Sequence, residues 1–228
     1  MTWVPTIEPE QVKAILFDLD GTLADTDDQW IARVSRWIKP LHFAFPQRDP
    51  TPFLRWGLME AETPLNFLYT IPDRIGLDEP LHRLQQRLRK GRPPKPQRIA
   101  AVTGVLEMLP LLAARYPLAV ISTRDVPKTA AFIDGHNLRP YFKVIVTARS
   151  APRLKPHPAP VLLAARQLHI PIENCLMVGD TTLDIRAGRA AGAQTVGVLC
   201  GFGRRWELER YAANLILETT ADLLAALN

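Results

Sequence analysis

The sequence predicts an α/β protein, a parallel doubly wound sheet carrying a helical segment inserted after its first strand, and three observations predict it. A short apolar run, 12–17, ends in an acidic turn with a glycine. Beyond residue 103, short apolar runs alternate with stretches of helix length. Between them, over 25–98, apolar residues recur at helical spacing and prolines break the pattern. Strands separated by helical crossovers pair in parallel, because a crossover of that length returns the chain to the same end of the sheet.

Size and composition narrow the possibilities. At 228 residues the chain has room for one large domain or a domain with a sizeable insertion. With 47% hydrophobic and 22% charged residues it is ordinary for a globular protein, which excludes a disordered chain or a fibrous repeat. The net charge of +5, with a pI near 9.5, suits nucleic acid, an anionic surface or small anionic substrates. Part of the excess is local: Arg83, Arg87, Arg89, Lys90, Arg92, Lys95 and Arg98 have no acidic residue between them. A solvated basic face is the first reading and steering of a phosphorylated substrate the second. No nucleic acid partner is expected, since no zinc finger, basic zipper or aromatic RNA-binding motif is present. Cys175 and Cys200 lack metal-ligand spacing and read as reduced core thiols. The first residues, Met1 to Pro5, lack the features of a signal peptide, and no apolar run approaches the roughly 20 residues that span a bilayer. No membrane partner is expected, and a cytoplasmic enzyme is the simplest reading.

In chain order, 12–17 is rich in large apolar side chains and stops at a turn glycine, as a buried strand does. Asp25 and Thr26 then offer N-cap oxygens, and Asp27 and Asp28 sit where a first helical turn favours negative charge. Trp30, Ile31, Val34, Trp37 and Ile38 follow at helical spacing until Pro40. Residues 42–52 are rich in proline and aromatics; shorter helical patterns cover 53–61, 63–69 and 78–90, the last with Leu81, Leu84 and Leu88 on one face and Gly91 as C-cap. Arg92-Pro93-Pro94-Lys95-Pro96 cannot continue a helix, since its prolines remove donors, and reads as an exit linker. The boundaries that follow are a core over 1–24 and 99–228 and a helical cap over 25–98. Within the core, helices over 105–115, 127–135, 159–168 and 183–191 precede strands over 118–121, 144–146, 175–178 and 195–199 respectively. A strand over 214–217 and a helix from 221 complete the chain.

The chemistry-bearing residues cluster at strand ends. Asp18-Leu19-Asp20-Gly21-Thr22-Leu23 places two carboxylates at the carboxyl end of the first strand, the edge where open α/β sheets bind ligands. Ser122-Thr123-Arg124 follows the second core strand, Lys155-Pro156 precedes a helix, and Gly179-Asp180 is followed by Asp184. Each alone has a structural reading: a hydroxyl capping a turn, a surface lysine, aspartates at a helix N-terminus. In this order they resemble the haloacid dehalogenase superfamily. Its signature is Asp-x-Asp-Gly-Thr followed by Leu or Val, then a strand-end Ser or Thr, a Lys-Pro, and a Gly-Asp with a second aspartate four residues on. The resemblance covers nearly the whole core; the cap matches in position and helical character.

The resemblance implies a Rossmann-like core and phosphoryl transfer. Asp18 would be the nucleophile, forming an aspartyl-phosphate that splits one hard displacement into two easier ones. Asp20 would protonate the leaving alkoxide and later take a proton from water. Lys155 would pair with Asp18 and the phosphoryl oxygens, and Ser122 would donate to the same oxygens, with Thr22, Thr123 and Arg124 as further substrate contacts. An anionic phosphate repels an attacking carboxylate, so a hard divalent cation is needed, and Mg2+ is implied. Its ligands would be Asp18, Asp180, the carbonyl of Asp20, and Asp184 directly or through water. Dehalogenase and phosphonate-cleaving members lack the second acid, and ion-pumping ATPases carry Thr there, so Asp20 favours phosphatases and phosphomutases. The runs Gly197-Val198-Leu199-Cys200-Gly201-Phe202-Gly203 and Pro117-Leu118-Ala119-Val120-Ile121-Ser122 look like the phosphoglycolate phosphatase branch. Ser122-Thr123 stands where that branch often has Thr-Asn, and Thr103-Gly104 where it has Pro-Gly. The expected partner is a small phosphorylated metabolite, with Trp30, Arg33, Trp37, Trp56 and Arg92 of the cap as candidate selectors. The alternatives are a sugar-phosphate mutase, and a catalytically retired binding or regulatory protein that docks through the basic segment.

Overall fold

Strand β1 (Ala14–Phe17) is buried along its whole length, and its side chains alternate between two cores. Ile15 and Phe17 join one apolar cluster, Ala14 and Leu16 the other, the period-2 alternation of a strand with helices on both faces. The computed structural model describes residues 6–26 and 99–228, which belong to one compact unit built from both ends of the chain. The cap readings over 27–98, including the tryptophans, Arg33, Arg92 and the basic run, lie outside the described residues.

After β1 come β2 (Ala24–Asp25), β3 (Ala100–Ala101), α1 (Val105–Ala113), β4 (Leu118–Ile121), α2 (Val126–Gly135) and β5 (Phe142–Val146). Then follow α3 (Ala159–Leu168), β6 (Cys175–Gly179), α4 (Thr182–Ala191), β7 (Gln194–Val198), α5 (Arg205–Arg210), β8 (Leu215–Leu217) and α6 (Leu223–Ala226). Six strands form one sheet in the order β5-β4-β1-β6-β7-β8, and every neighbouring pair is parallel. The chain builds outward from β1 on one side, returns to the other side at β6 and builds outward again. That reversal opens a crevice at the carboxyl ends of β4, β1 and β6, where the side chains of an open sheet can converge on a ligand.

Both faces are covered. Val105, Met108, Leu109 and Leu112 of α1 pack in the cluster holding Phe17 and Val178, while Val161, Ala164 and Ala165 of α3 join Leu16, Ile121 and Met177. Burying side chains of this size is worth about 1.5–3 kcal/mol each for the larger ones.

The strands and helices expected of the core are present, with instructive differences at their edges. β5 begins at Phe142, earlier than the apolar run 144–146 suggests, because exposed Lys143 interrupts that run while Phe142 turns inward onto Phe17 at 6.5 Å. α5 was not expected: only Leu208 of its six residues is buried, so it has no apolar period to read. The β2–β3 ribbon, Ala24 opposite Ala101 and Asp25 opposite Ala100, was not expected either, since two-residue strands carry no pattern. It places Asp25 in a strand instead of the helix N-cap role read from the sequence, and brings the departing and returning chain side by side.

Cys175 opens β6 and is fully buried, and its thiol is pushed up to about 11 by burial, with Glu173 adding to the rise. A thiol raised above its unfolded value of 9.0 contributes stability below that value and loses it as pH climbs toward about 11. Iodoacetamide near pH 8 is therefore expected to modify native Cys175 only after unfolding. Cys175→Val should flatten the fall in melting temperature between about pH 9 and about pH 11, read by thermal melts across that window.

Candidate active site

Asp18 stands one residue past β1, and its amide donates to the carbonyl of Val178 at 2.8 Å, extending the β1–β6 pairing to the base of the site. The loop then turns tightly: the amides of Leu23 and Ala24 both donate to the carbonyl of Leu19, and Gly21 donates to Ala24. Leu19 and Leu23 are fully buried and anchor the turn in the core, which leaves Asp18 and Asp20 at its mouth. Gly21 has φ 73°, a left-handed conformation that a side chain resists, and a Cβ there would lie 2.2 Å from Asp180 Oδ2.

Lys155 binds the site together. Buried to 6% exposure, its ammonium donates to Asp18 Oδ1 and Asp184 Oδ1, each at 2.5 Å, and to the carbonyl of Ile121 at 3.2 Å. Asp184 sits in the first turn of α4, where a carboxylate caps free amides. Its Oδ2 accepts from the Thr181 amide at 3.1 Å and the Thr181 hydroxyl at 2.7 Å. Asp180, at the end of β6, accepts from the Thr22 hydroxyl at 3.2 Å and from the Phe202 amide at 2.9 Å. One oxygen from each of Asp18, Asp180 and Asp184 lies within 4.8 Å of the others, and all three residues are buried.

The charges in this pocket do not balance. Burial raises the Asp18 carboxyl to about 7 against the pull of Lys155, with Asp184 and Asp20 adding to the rise. Burial alone would pull the Lys155 ammonium down, but the carboxylates of Asp18 and Asp184 outweigh it and hold it above the usual lysine range. With all three carboxylates ionised, the single ammonium of Lys155 would leave two negative charges in a desolvated space. A divalent cation supplies the matching charge, and an all-oxygen donor set suits a hard ion. The residues present therefore fit a metal ion.

Asp20 lies beside this cluster, and its side chain is turned to Arg124. The guanidinium reaches both oxygens, Nε to Oδ2 at 2.7 Å and Nη2 to Oδ1, in the fork geometry of a bidentate pair. Ser122 is buried at the end of β4, its hydroxyl accepting from the Arg124 amide at 3.1 Å, while Thr123 is exposed. The structure thus brings Asp18, Asp180, Asp184 and Lys155 into one cluster, sets Asp20 and Arg124 together next to it, and places the Thr22 hydroxyl on Asp180. The Phe202 amide, Thr181 and Thr220 were not anticipated. A backbone donor has no residue-type signal, and Thr220 acts on the distant Thr22 carbonyl; Thr181 is local, its hydroxyl donating to Asp184 three residues on, a capping pattern that the sequence could have shown.

A family model described as haloacid dehalogenase-like hydrolase matches residues 15–198, the stretch that holds Asp18, Asp20, Ser122, Lys155, Asp180 and Asp184. The chain belongs to the haloacid dehalogenase-like hydrolase family. Among its relatives, a phosphoglycolate phosphatase of Escherichia coli (strain K12) is 25% identical and covers 96% of this chain and 93% of its own. A pyrophosphatase of Bacillus pumilus is 28% identical, covering 94% and 95%. A solved structure of a hydrolase from Pseudomonas syringae superposes with TM-score 0.67 at 26% identity, covering 93% of this chain and 96% of that one. This member of the family is an enzyme of the phosphatase kind. Among the described residues, no helix is long and apolar enough to cross a membrane.

Proposed function

We propose that this protein hydrolyses a small phosphorylated metabolite, of the 2-phosphoglycolate or sugar phosphate kind, through a phosphorylated Asp18. The observation that carries the reading is the buried Lys155 fixed between Asp18 and Asp184, with Asp180 completing an oxygen cluster at the carboxyl edge of the sheet. A phosphatase relative at 25% identity over 96% of the chain supports the substrate class.

Asp18 Oδ attacks phosphorus; a bond forms between them as the bond from phosphorus to the ester oxygen breaks. Asp20, once its carboxyl leaves the Arg124 fork and takes up a proton, delivers that proton to the departing oxygen, then takes one from the water that attacks the phosphorylated Asp18 and returns it to a free carboxylate. Lys155 holds Asp18 in orientation and offers its charge to the phosphoryl oxygens. Ser122 donates a hydrogen bond to the same oxygens, while Arg124 holds the Asp20 carboxyl in that fork beforehand, with Thr22 and Thr123 as further contacts. A magnesium ion held by Asp18, Asp180, Asp184 and the Asp20 carbonyl would neutralise charge on the phosphoryl group and its nucleophile. The segment 25–98 acts as a cap that selects the substrate over a core of 1–24 and 99–228, and the cytoplasm is the proposed location.

The test is inorganic phosphate release from a panel of phosphorylated metabolites, including 2-phosphoglycolate, with magnesium and with a chelator. Release that requires magnesium is the expected result, and the substrate ranking identifies the metabolite. Phosphate moved between hydroxyls without release would replace the reading with a mutase, and no turnover by folded, magnesium-loaded protein would replace it with a binding role.

A further inference from the structure

The run Gly201-Phe202-Gly203 follows β7 and carries no acid, base or nucleophile, yet it is seated on a carboxylate of the site. The Phe202 amide donates to Asp180 Oδ2 at 2.9 Å, and the Thr22 hydroxyl donates to the other oxygen, Oδ1, at 3.2 Å. The approach is so close that side chains are excluded. A Cβ on Gly201 would lie 2.2 Å from Asp180 Oδ2 and 2.6 Å from the carbonyl oxygen of Gly21, and one on Gly203 would lie 1.8 Å from the Asp180 carbonyl oxygen. The neighbouring residues tie this loop to the acidic turn. Cys200 Sγ lies 3.3 Å from the Gly21 carbonyl and 3.4 Å from Thr220 Oγ1, and the buried Thr220 hydroxyl donates to the Thr22 carbonyl at 2.6 Å.

Asp180 is fully buried, with a hydrogen-bond donor on each of its oxygens. A carboxylate oxygen has two lone-pair sites, so an oxygen that accepts a hydrogen bond can also face a cation. The two donors also fix the rotation of the carboxylate, which sets where those remaining lone pairs point. Loss of either donor lets the group turn, and a ligand that must be reoriented on binding holds a metal less well.

We infer that the loop Gly201-Phe202-Gly203, acting with Thr22, is a positioning element that presets Asp180 for a divalent cation. The inference rests on the cation-binding reading of the Asp18, Asp180 and Asp184 cluster. The loop need touch neither the ion nor the substrate, and the Thr22 hydroxyl acts on the ion through Asp180. Their contribution is to the orientation of one ligand, so it appears in cation affinity before it appears in chemistry.

The experiment titrates magnesium into chelator-treated full-length protein by calorimetry, with the magnesium-dependent rise in melting temperature as a second readout. Thr22→Val removes the hydroxyl donor at nearly constant volume, Thr22→Ser restores it, and Gly201→Ala places a methyl against Oδ2. Thr22→Val and Gly201→Ala are expected to weaken magnesium binding about 10-fold to 100-fold, with Thr22→Ser within about threefold of wild type. Should Gly201→Ala fail to fold, the Thr22 pair decides. Wild-type affinity in Thr22→Val, with wild type itself binding magnesium, would overturn the positioning role and leave the metal site standing. Absence of binding by wild type would overturn the metal reading and the inference with it.

Discussion

Asp18→Asn is expected to reduce phosphate release by at least about 10⁴-fold while the protein stays folded, since an amide oxygen cannot replace the attacking carboxylate in a unit of cooperating residues. The folded state tolerates the change for a reason visible in the site. Burial already raises the Asp18 carboxyl to about 7, so the environment accepts a neutral side chain at that position. Lys155 retains its second carboxylate partner, Asp184, at 2.5 Å. Turnover by phosphate assay, compared with melting temperature for the same preparation, separates the two effects. Activity within tenfold of wild type would remove Asp18 from the nucleophile role, and a collapse of the melting temperature would show the charge to be structural.

Lys155→Met carries the largest expected effect on stability. The substitution keeps an apolar stem of similar length and deletes the ammonium that offsets Asp18 and Asp184 in a space where Lys155 is only 6% exposed. Removing one partner of a buried pair costs about 3–5 kcal/mol, because the remaining charge is left desolvated and uncompensated. For a chain of this size, each kcal/mol shifts the melting temperature by about 2–4 °C, so a fall of roughly 6–20 °C is expected for chelator-treated protein. Magnesium should recover part of that fall, since the cation supplies positive charge to the same carboxylates, while turnover stays low because no ammonium meets the phosphoryl oxygens. A melting temperature unchanged from wild type would mean that the ion pairs contribute nothing net to the fold.

Much of this was legible in the chain. The carboxylates at 18 and 20 follow an apolar run that stops at a glycine, and the alternation beyond residue 103 demands parallel strands. Helix α3 and strand β4 match the residues read for them, because both are long or apolar enough to show their period. Short elements escaped: β2 and β3 exist only through their mutual hydrogen bonds, and α5 buries only Leu208. Ser122, Lys155, Asp180 and Asp184 were recognisable as residue types at strand and helix ends, while their partnership, the Lys155–Asp18 pair included, was implied by the family resemblance and by no local pattern.

The sequence by itself determined the class of fold and the kind of chemistry, since local apolar period and the choice of carboxylate, hydroxyl and ammonium side chains are properties of neighbouring residues. The tertiary structure alone decided who meets whom. Lys155 reaches Asp18 across 137 residues, Arg124 reaches Asp20 across 104, and Phe202 reaches Asp180 across 22. Those meetings depend on the order β5-β4-β1-β6-β7-β8, which sets β4 and β6 on either side of β1 and turns their carboxyl ends toward one crevice. Strand order is a balance of packing over the whole core, and no local stretch of sequence contains it.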